Sequence, residues 1–155
     1  WLASGWSHSE SAGVWSNANH AEIEIDPQAL SRVRQCIRLT FRLNGLIKAG
    51  HPRQRILVKV NGIKVATRTI IYPDSHLILD VDIPAEDLDS TQKIQVAFDL
   101  PDAATPKSLG INGDQRLLAI MLESLTASPL DPGGQLSTKP FAPASVITKP
   151  NSRQH

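Results

Sequence analysis

Three residues near the start of the chain have the types and spacing for carbohydrate chemistry: Trp6, Glu10 and Trp15. They lie in a repeated phrase, Gly5-Trp6-Ser7 and Gly13-Val14-Trp15-Ser16, with the carboxylate between the two indoles. An indole offers a large, rigid apolar area at low entropic cost, so it can stack on the C–H face of a sugar while a neighbouring carboxylate accepts hydroxyl hydrogen bonds. The same rings have an alternative use as a plug over one open end of a core, because tryptophan is on average highly buried. The balance favours the plug, for Trp15 in particular, and leaves Trp6 as the more open ring.

Ser7, His8 and Glu10 are close enough in sequence to suggest a hydroxyl–imidazole–carboxylate relay. Such relays are defined by geometry rather than by sequence proximity, so a small esterase-like enzyme using Ser7 and His8 is the weakest of three readings. No Gly-x-Ser-x-Gly elbow, phosphate-cradling glycine loop or metal-spaced histidine pair is present. The five histidines are dispersed and Cys36 is single, which excludes an internal disulfide. The expectation is no catalytic residue, no metal and no cofactor.

The elements that position the indoles read as short strands. Ala21, Ile23 and Ile25 alternate with Glu22, Glu24 and Asp26; Val33, Ile37, Leu39, Phe41 and Leu43 lie on one side of a second strand, opposite Arg34, Arg38, Thr40 and Arg42. Matching acidic and basic periods suggest that these two strands pair across their charges, which needs no ligand. Ile56 to Ala66 is a hairpin about Asn61-Gly62, since a two-residue type I′ turn needs positive φ at both central positions. Its ideal register sets Val60 against Ile63, Val58 against Val65, Lys59 against Lys64 and Arg55 against Arg68. The opposed cations require acidic relief, for which Asp80 and Asp82 on the strand 76–83 are the candidates. Strands 93–100 and 116–125 follow, the last apolar on both faces and therefore central.

These strands, with turns at Pro73, Pro84 and Pro101 and one short helical turn near residue 85, predict an all-β fold, an antiparallel β-sandwich. From Ser128 the text changes to five prolines, two adjacent glycines and little periodicity. The domain is therefore set at 1–127, with 128–155 an irregular proline-rich tail or linker. A length of 155 residues suits one core, and the net charge of +1 carries no signature of a nucleic-acid binder. No apolar run is long enough for a transmembrane segment. The chain begins at Trp1 without Met and shows no signal peptide, which suggests a fragment of a larger parent.

The order Gly5-Trp6-Ser7-x-x-Glu10-x-x-Gly13-x-Trp15-Ser16 resembles the opening of a bacterial accessory domain attached to glycosyltransferases and related enzymes of cell-surface polysaccharide assembly. Val60-Asn61-Gly62, Thr105-Pro106-x-x-Leu109-Gly110 and Asp114-x-Arg116-x-Leu118 are similar to its further landmarks, over residues 5 to about 127. Ala119 departs from the glycine often found there. The resemblance implies a non-catalytic, carbohydrate-binding-module-like or jelly-roll β-sandwich, with glycan or polysaccharide and a linked or partner glycosyltransferase domain as its partners. A cytoplasmic or membrane-associated parent protein is the corresponding expectation, the compartment itself being unassigned.

The combined expectation is a non-catalytic module that binds glycan through Trp6, Glu10 and Trp15 or positions a catalytic domain. A purely structural or protein-interaction module with the same residues buried is the rival. Glu10 and Arg116, the charged residues of the two most distinctive motifs, are expected to form an ion pair that pins the N-terminal loop to the last strand.

Overall fold

The computed structural model describes residues 1–30, 36–88, 92–130 and 144–147, and these form two antiparallel sheets packed face to face. In chain order the strands are β1 Trp6–Ser9, β2 Val14–Ser16, β3 His20–Ile25, β4 Ile37–Gly45 and β5 Arg53–Val60. They continue as β6 Ile63–Ile71, β7 His76–Ile83, β8 Ile94–Asp99, β9 Ile120–Pro129 and β10 Ala144–Ile147. Sheet I has the order β3-β8-β5-β6, and sheet II the order β1-β2-β9-β4-β7, with β10 also paired to β9. A short helix, α1 Ala85–Leu88, leads into β8, and a 3-10 turn Pro27–Ala29 follows β3. The chain is thus an all-β, antiparallel β-sandwich.

Period-two patterning places the core between the sheets. Ile23, Ile56, Val58 and Phe98 of sheet I meet Leu39, Phe41, Leu79 and Leu125 of sheet II in one buried cluster. Phe41 and Phe98 touch edge to face across the interface at 5.4 Å between centroids, an arrangement that adds to the apolar burial. Each fully buried aliphatic side chain here contributes roughly 1.5–3 kcal/mol relative to exposure.

The Asn61-Gly62 hairpin forms with φ values of 50° and 80°. Its first pairs are Val60–Ile63 and Lys59–Lys64, after which a bulge shifts the register, so Val58 faces Ala66 and Arg55 faces Thr69. The expected Val58–Val65 and Arg55–Arg68 pairs are therefore corrected: the extra residue at the bulge moves every later partner by one. Asp80 and Asp82 do not relieve this hairpin, because β7 belongs to the other sheet. Lys59 finds Asp99 at 3.2 Å and Arg55 finds Asp102 at 2.8 Å.

The pairing of β3 with the basic strand is also overturned. β3 lies in sheet I beside β8, whereas β4 lies in sheet II between β9 and β7. Arg38 instead makes a two-pronged pair with Asp82 at 2.9 and 3.2 Å. Val33 and Arg34 of the expected strand lie outside the described residues. The last long strand begins at Ile120 rather than Arg116 and is central, as its two-sided apolarity implies. The composition break at 127/128 falls inside β9, which runs to Pro129; Leu130 is buried and its N–H bonds Cys36 O at 2.8 Å.

Among the described residues β6 is the free edge of sheet I, and it is mostly exposed, with Ile63, Val65 and Ile71 turned to solvent. The opposite edge, β3, is covered by residues 1–4 through a Leu2–Ile23 bridge. Bonds from Ala3 N to Glu22 O, Glu22 N to Ser4 O and Glu24 N to Trp1 O complete that strap.

Candidate functional site

β1 and β2 form a small hairpin closed by backbone bonds between Glu10 and Gly13, of 2.8 and 3.3 Å. Two glycines let it approach its neighbours. A Cβ on Gly5, which has φ +82°, would sit 2.1 Å from His20 O, and one on Gly13 would sit 2.4 Å from Leu122 O. Ser16 welds the hairpin to the body: its buried hydroxyl accepts from the N–H groups of Ala119 and Ile120 at 3.2 and 3.0 Å. Each bond satisfies a backbone donor that would otherwise be orphaned.

The two indoles take opposite faces, because successive strand residues alternate. Trp6 pairs with buried Ser16 and turns inward; its Nε1–H donates to Glu22 O at 2.9 Å and its ring meets Phe98 edge to face at 6.3 Å. Trp15 pairs with Met121 on the outer face of sheet II, between the inward Val14 and Ser16, and is half-buried. Trp6 thus packs against the core as a plug, while Trp15 lies on the outer face of sheet II; both rings are half-buried.

Arg116 organises the hairpin from the loop before β9. Its guanidinium lies 2.7 Å from Asp114 Oδ2 and 3.2 Å from Glu10 Oε1, and donates to Ser7 Oγ at 2.9 Å. Asp114 holds the Arg116 guanidinium above its ordinary range, and the guanidinium in turn holds the Asp114 carboxyl below the usual carboxylate range. Glu10 and Arg116 side chains are 35% and 24% exposed, so their pair is worth no more than about 1 kcal/mol. His8 stands beside this group, with Nδ1 3.4 Å from Ser7 Oγ and Nε2 3.7 Å from Glu10 Oε1. The order hydroxyl–imidazole–carboxylate is present, but the contacts are long and the imidazole is 72% exposed.

Register sets a row across sheet II. Trp15 faces Met121, Met121 faces Asn44, and Asn44 faces His76, so four strands bring these side chains to one line on the outer face. At normal strand spacing the row spans about 14 Å. In the next row Arg42 stands between Ser124 and Ile78, the latter 54% exposed. A bulge between Arg42 and Leu43 inserts Glu123 beside the row, where its Oε1 lies 3.3 Å from His76 Nδ1. That contact meets no hydrogen-bond geometry, and Glu123 Oε1 is a buried acceptor without a hydrogen-bond partner among the described residues. Met121 is only 7% exposed and passes close to Gly13. The row therefore offers one aromatic ring, an apolar floor, an amide, an imidazole, a carboxylate and a guanidinium. Neither Asn44 nor Arg42 has a side-chain partner among the described residues.

Of these residues, sequence reasoning found only Trp15. Asn44, His76, Arg42 and Met121 carried the strand alternation that assigns them outward, but nothing local told which strands are neighbours. Glu10 lies in the Arg116 group rather than between two stacking indoles. The outer face of sheet I differs: His20 Nδ1 is 2.7 Å from Asp99 Oδ1 and its Nε2 is 2.8 Å from Glu22 Oε1. Gln95 donates to Glu22 Oε2 at 2.7 Å. Glu22 and then Asp99 raise the His20 pKa above its ordinary 6.5, while His20 lowers both carboxyls. No cluster of histidine, cysteine and carboxylate suited to a metal occurs among the described residues.

Comparison with protein-family models finds no match, and no curated protein matches the chain. Among solved structures it is similar to a CBM36 carbohydrate-binding module in complex with calcium and xylotriose, at 10% identity and a TM-score of 0.44, covering 82% of this chain and 92% of that one. It is also similar to a family 35 carbohydrate-binding module from an environmental isolate, at 15% identity and a TM-score of 0.45, covering 90% and 99%.

Proposed function

We propose that the chain is a non-catalytic glycan-binding module that engages carbohydrate on the outer face of sheet II, with Trp15 as the stacking ring. The observation that carries this reading is the row Trp15–Met121–Asn44–His76, flanked by Arg42 and Glu123. A flat sheet face with one half-open indole and uncommitted polar groups suits an extended chain of hydroxyls, which need both donors and acceptors. The linear placement over four strands favours several consecutive sugar units over a single one. Glu10 takes part through Arg116, holding the hairpin that carries Trp15, rather than as a direct ligand.

Three features support a non-catalytic role. The imidazole of His8 is open to water, its contacts to Ser7 and Glu10 are long, and burial pushes the Cys36 thiol pKa up, away from a reactive thiolate. The motif resemblance supports attachment to a polysaccharide-assembly glycosyltransferase, which the module would hold near its polymer. A protein-interaction role draws on one specific observation, the exposed Ile63, Val65 and Ile71 along the free edge β6.

Binding of neutral oligosaccharides to the chain, followed by calorimetry, tests the reading. Trp15→Ala is expected to weaken affinity at least tenfold while Ile63→Ser leaves it unchanged. Binding indifferent to Trp15 would overturn the sheet-face site. Turnover of ester or glycoside substrates that disappears in Ser7→Ala would overturn the non-catalytic role.

A further inference from the structure

Two open clefts, of about 340 and 430 Å3, meet at Lys93 where β3 ends and β8 begins. The first is lined by Trp1, Glu24, Asp26 and Lys93 with Leu2 and Ala29 as its apolar wall, and the second continues to Asp87, Gln95 and Asn61. Each volume lies within the range of small-molecule sites. The ring of Trp1 is 44% exposed, and it is held in place by its own carbonyl, which accepts from Glu24 N at 2.8 Å. This ties the Trp1 backbone to that of Glu24, and both residues line the same cleft.

We propose that this groove is a second carbohydrate site, distinct from the sheet II face, and that it takes an amine-bearing sugar, the class of a de-N-acetylated hexosamine oligomer. Charge decides the class. Three carboxylates, of Glu24, Asp26 and Asp87, stand against two cations, the Trp1 α-amino group and Lys93, whose ammonium lies 3.6 Å from Glu24 Oε2, so the groove is net acidic and favours an ammonium over a uronic acid. Asp26 spends one oxygen on Gln28 N at 2.9 Å, while Asp87 makes no side-chain bond among the described residues. An indole face next to carboxylates binds ammonium groups through both cation–π attraction and charge. The apolar face of the sugar ring lies on the indole, and its amine lies towards Glu24 and Asp26.

A basic peptide is the competing cation. Extended peptides add to a free sheet edge, but residues 1–4 already occupy the β3 edge at this groove. Recognition here has to come from side chains, which suits hydroxyls and an amine better than a peptide backbone.

Labelling with 5-fluorotryptophan gives three fluorine signals, one per indole, assigned by single Trp→Phe variants. Titration with a glucosamine tetrasaccharide should shift the Trp1 signal saturably and leave the Trp15 signal in place. The N-acetylated tetrasaccharide, and the double variant Glu24→Gln with Asp26→Asn, should each weaken binding at least tenfold. An unchanged Trp6 signal reports that the variants remain folded. No shift at Trp1, equal affinity for the N-acetylated sugar, or tetralysine binding as tightly as the amino sugar would each overturn the proposal. A neutral oligosaccharide that shifts only Trp15 tests the sheet II site separately.

Discussion

The outer faces of the two sheets are built from the same strand alternation, yet they differ in how far their polar groups are spent. On sheet I, His20, Glu22, Asp99, Gln95 and Lys59 bond one another across three strands. On sheet II the far rows are spent in the same way, with Arg38 on Asp82 and Thr40 on Asp80. The rows nearest β2 are not: Arg42 faces Ile78 and Ser124, and Asn44 faces Met121 and His76. A saturated face has little left to offer a ligand, because each new bond must first break an old one. An exposed, uncommitted group gives up only water. Function is thus best sought where the charge pattern fails to close on itself, at the Trp15 end of sheet II.

The two tryptophans make the sharpest test of that contrast. Trp6→Ala should cost about 3–5 kcal/mol in denaturant unfolding, because it empties the space against Phe98 and removes the indole's bond to Glu22 O. Trp15→Ala should change stability by less than about 1 kcal/mol while removing glycan binding. A large stability loss at Trp15 would place it in a structural role and break the comparison.

Next in size is Gly5→Ala. A Cβ there meets the backbone at His20 and Ala21 and occupies a left-handed conformation, so the hairpin must shift, at about 1–3 kcal/mol. Thermal unfolding reads the loss, and glycan affinity should fall with it as Trp15 moves.

Smaller still is the Glu10–Arg116 coupling. A double-mutant cycle with Glu10→Gln and Arg116→Met should return about 1 kcal/mol or less, since Arg116 retains Asp114 when Glu10 is neutralised. A coupling of several kcal/mol would mean that the pair is dry in solution.

The smallest effect is the pH dependence carried by the His20 network of sheet I. Because the folded pKa of His20 is raised, its contribution is full below the ordinary 6.5 and is lost as pH rises through the folded value. Glu22 and Asp99 have lowered values, so their contribution is full above 4.5 and 3.8 and is lost as pH falls through the folded values. Their joint stabilisation peaks between pH 4.5 and 6.5. His20→Gln should flatten the decline above pH 6.5 in equilibrium unfolding, and leave glycan binding on sheet II untouched. An unchanged slope would show that the network does not hold the ring protonated.

Much of the fold was legible in the residues. β7 runs from His76 to Ile83 as its alternation indicates, and Asn61-Gly62 turns the chain as two positive-φ residues must. Alternation tells which face a side chain takes but not which strand stands beside it, so Glu22 and Glu24 were matched to arginines that lie in another sheet. Bulges are equally silent: the one after Lys59 shifts the β5–β6 pairs, and the one after Arg42 brings Glu123 to the site. The three-residue β2 is too short for its period to show whether Trp15 points in or out. The site is a product of neighbours, and neighbours are set by topology.

The free edge β6 bears on solubility. From Ile63 to Ile71 it is rich in β-branched residues and offers unpaired backbone groups, which is the profile of a segment that recruits further chains into stacked strands. Lys64 and Arg68 interrupt that run, and neither has a partner among the described residues; the bulge beside Lys59 adds a local twist. Their charges repel an identical edge arriving from another molecule. Two side chains without a partner among the described residues thereby keep separate copies of the fold apart.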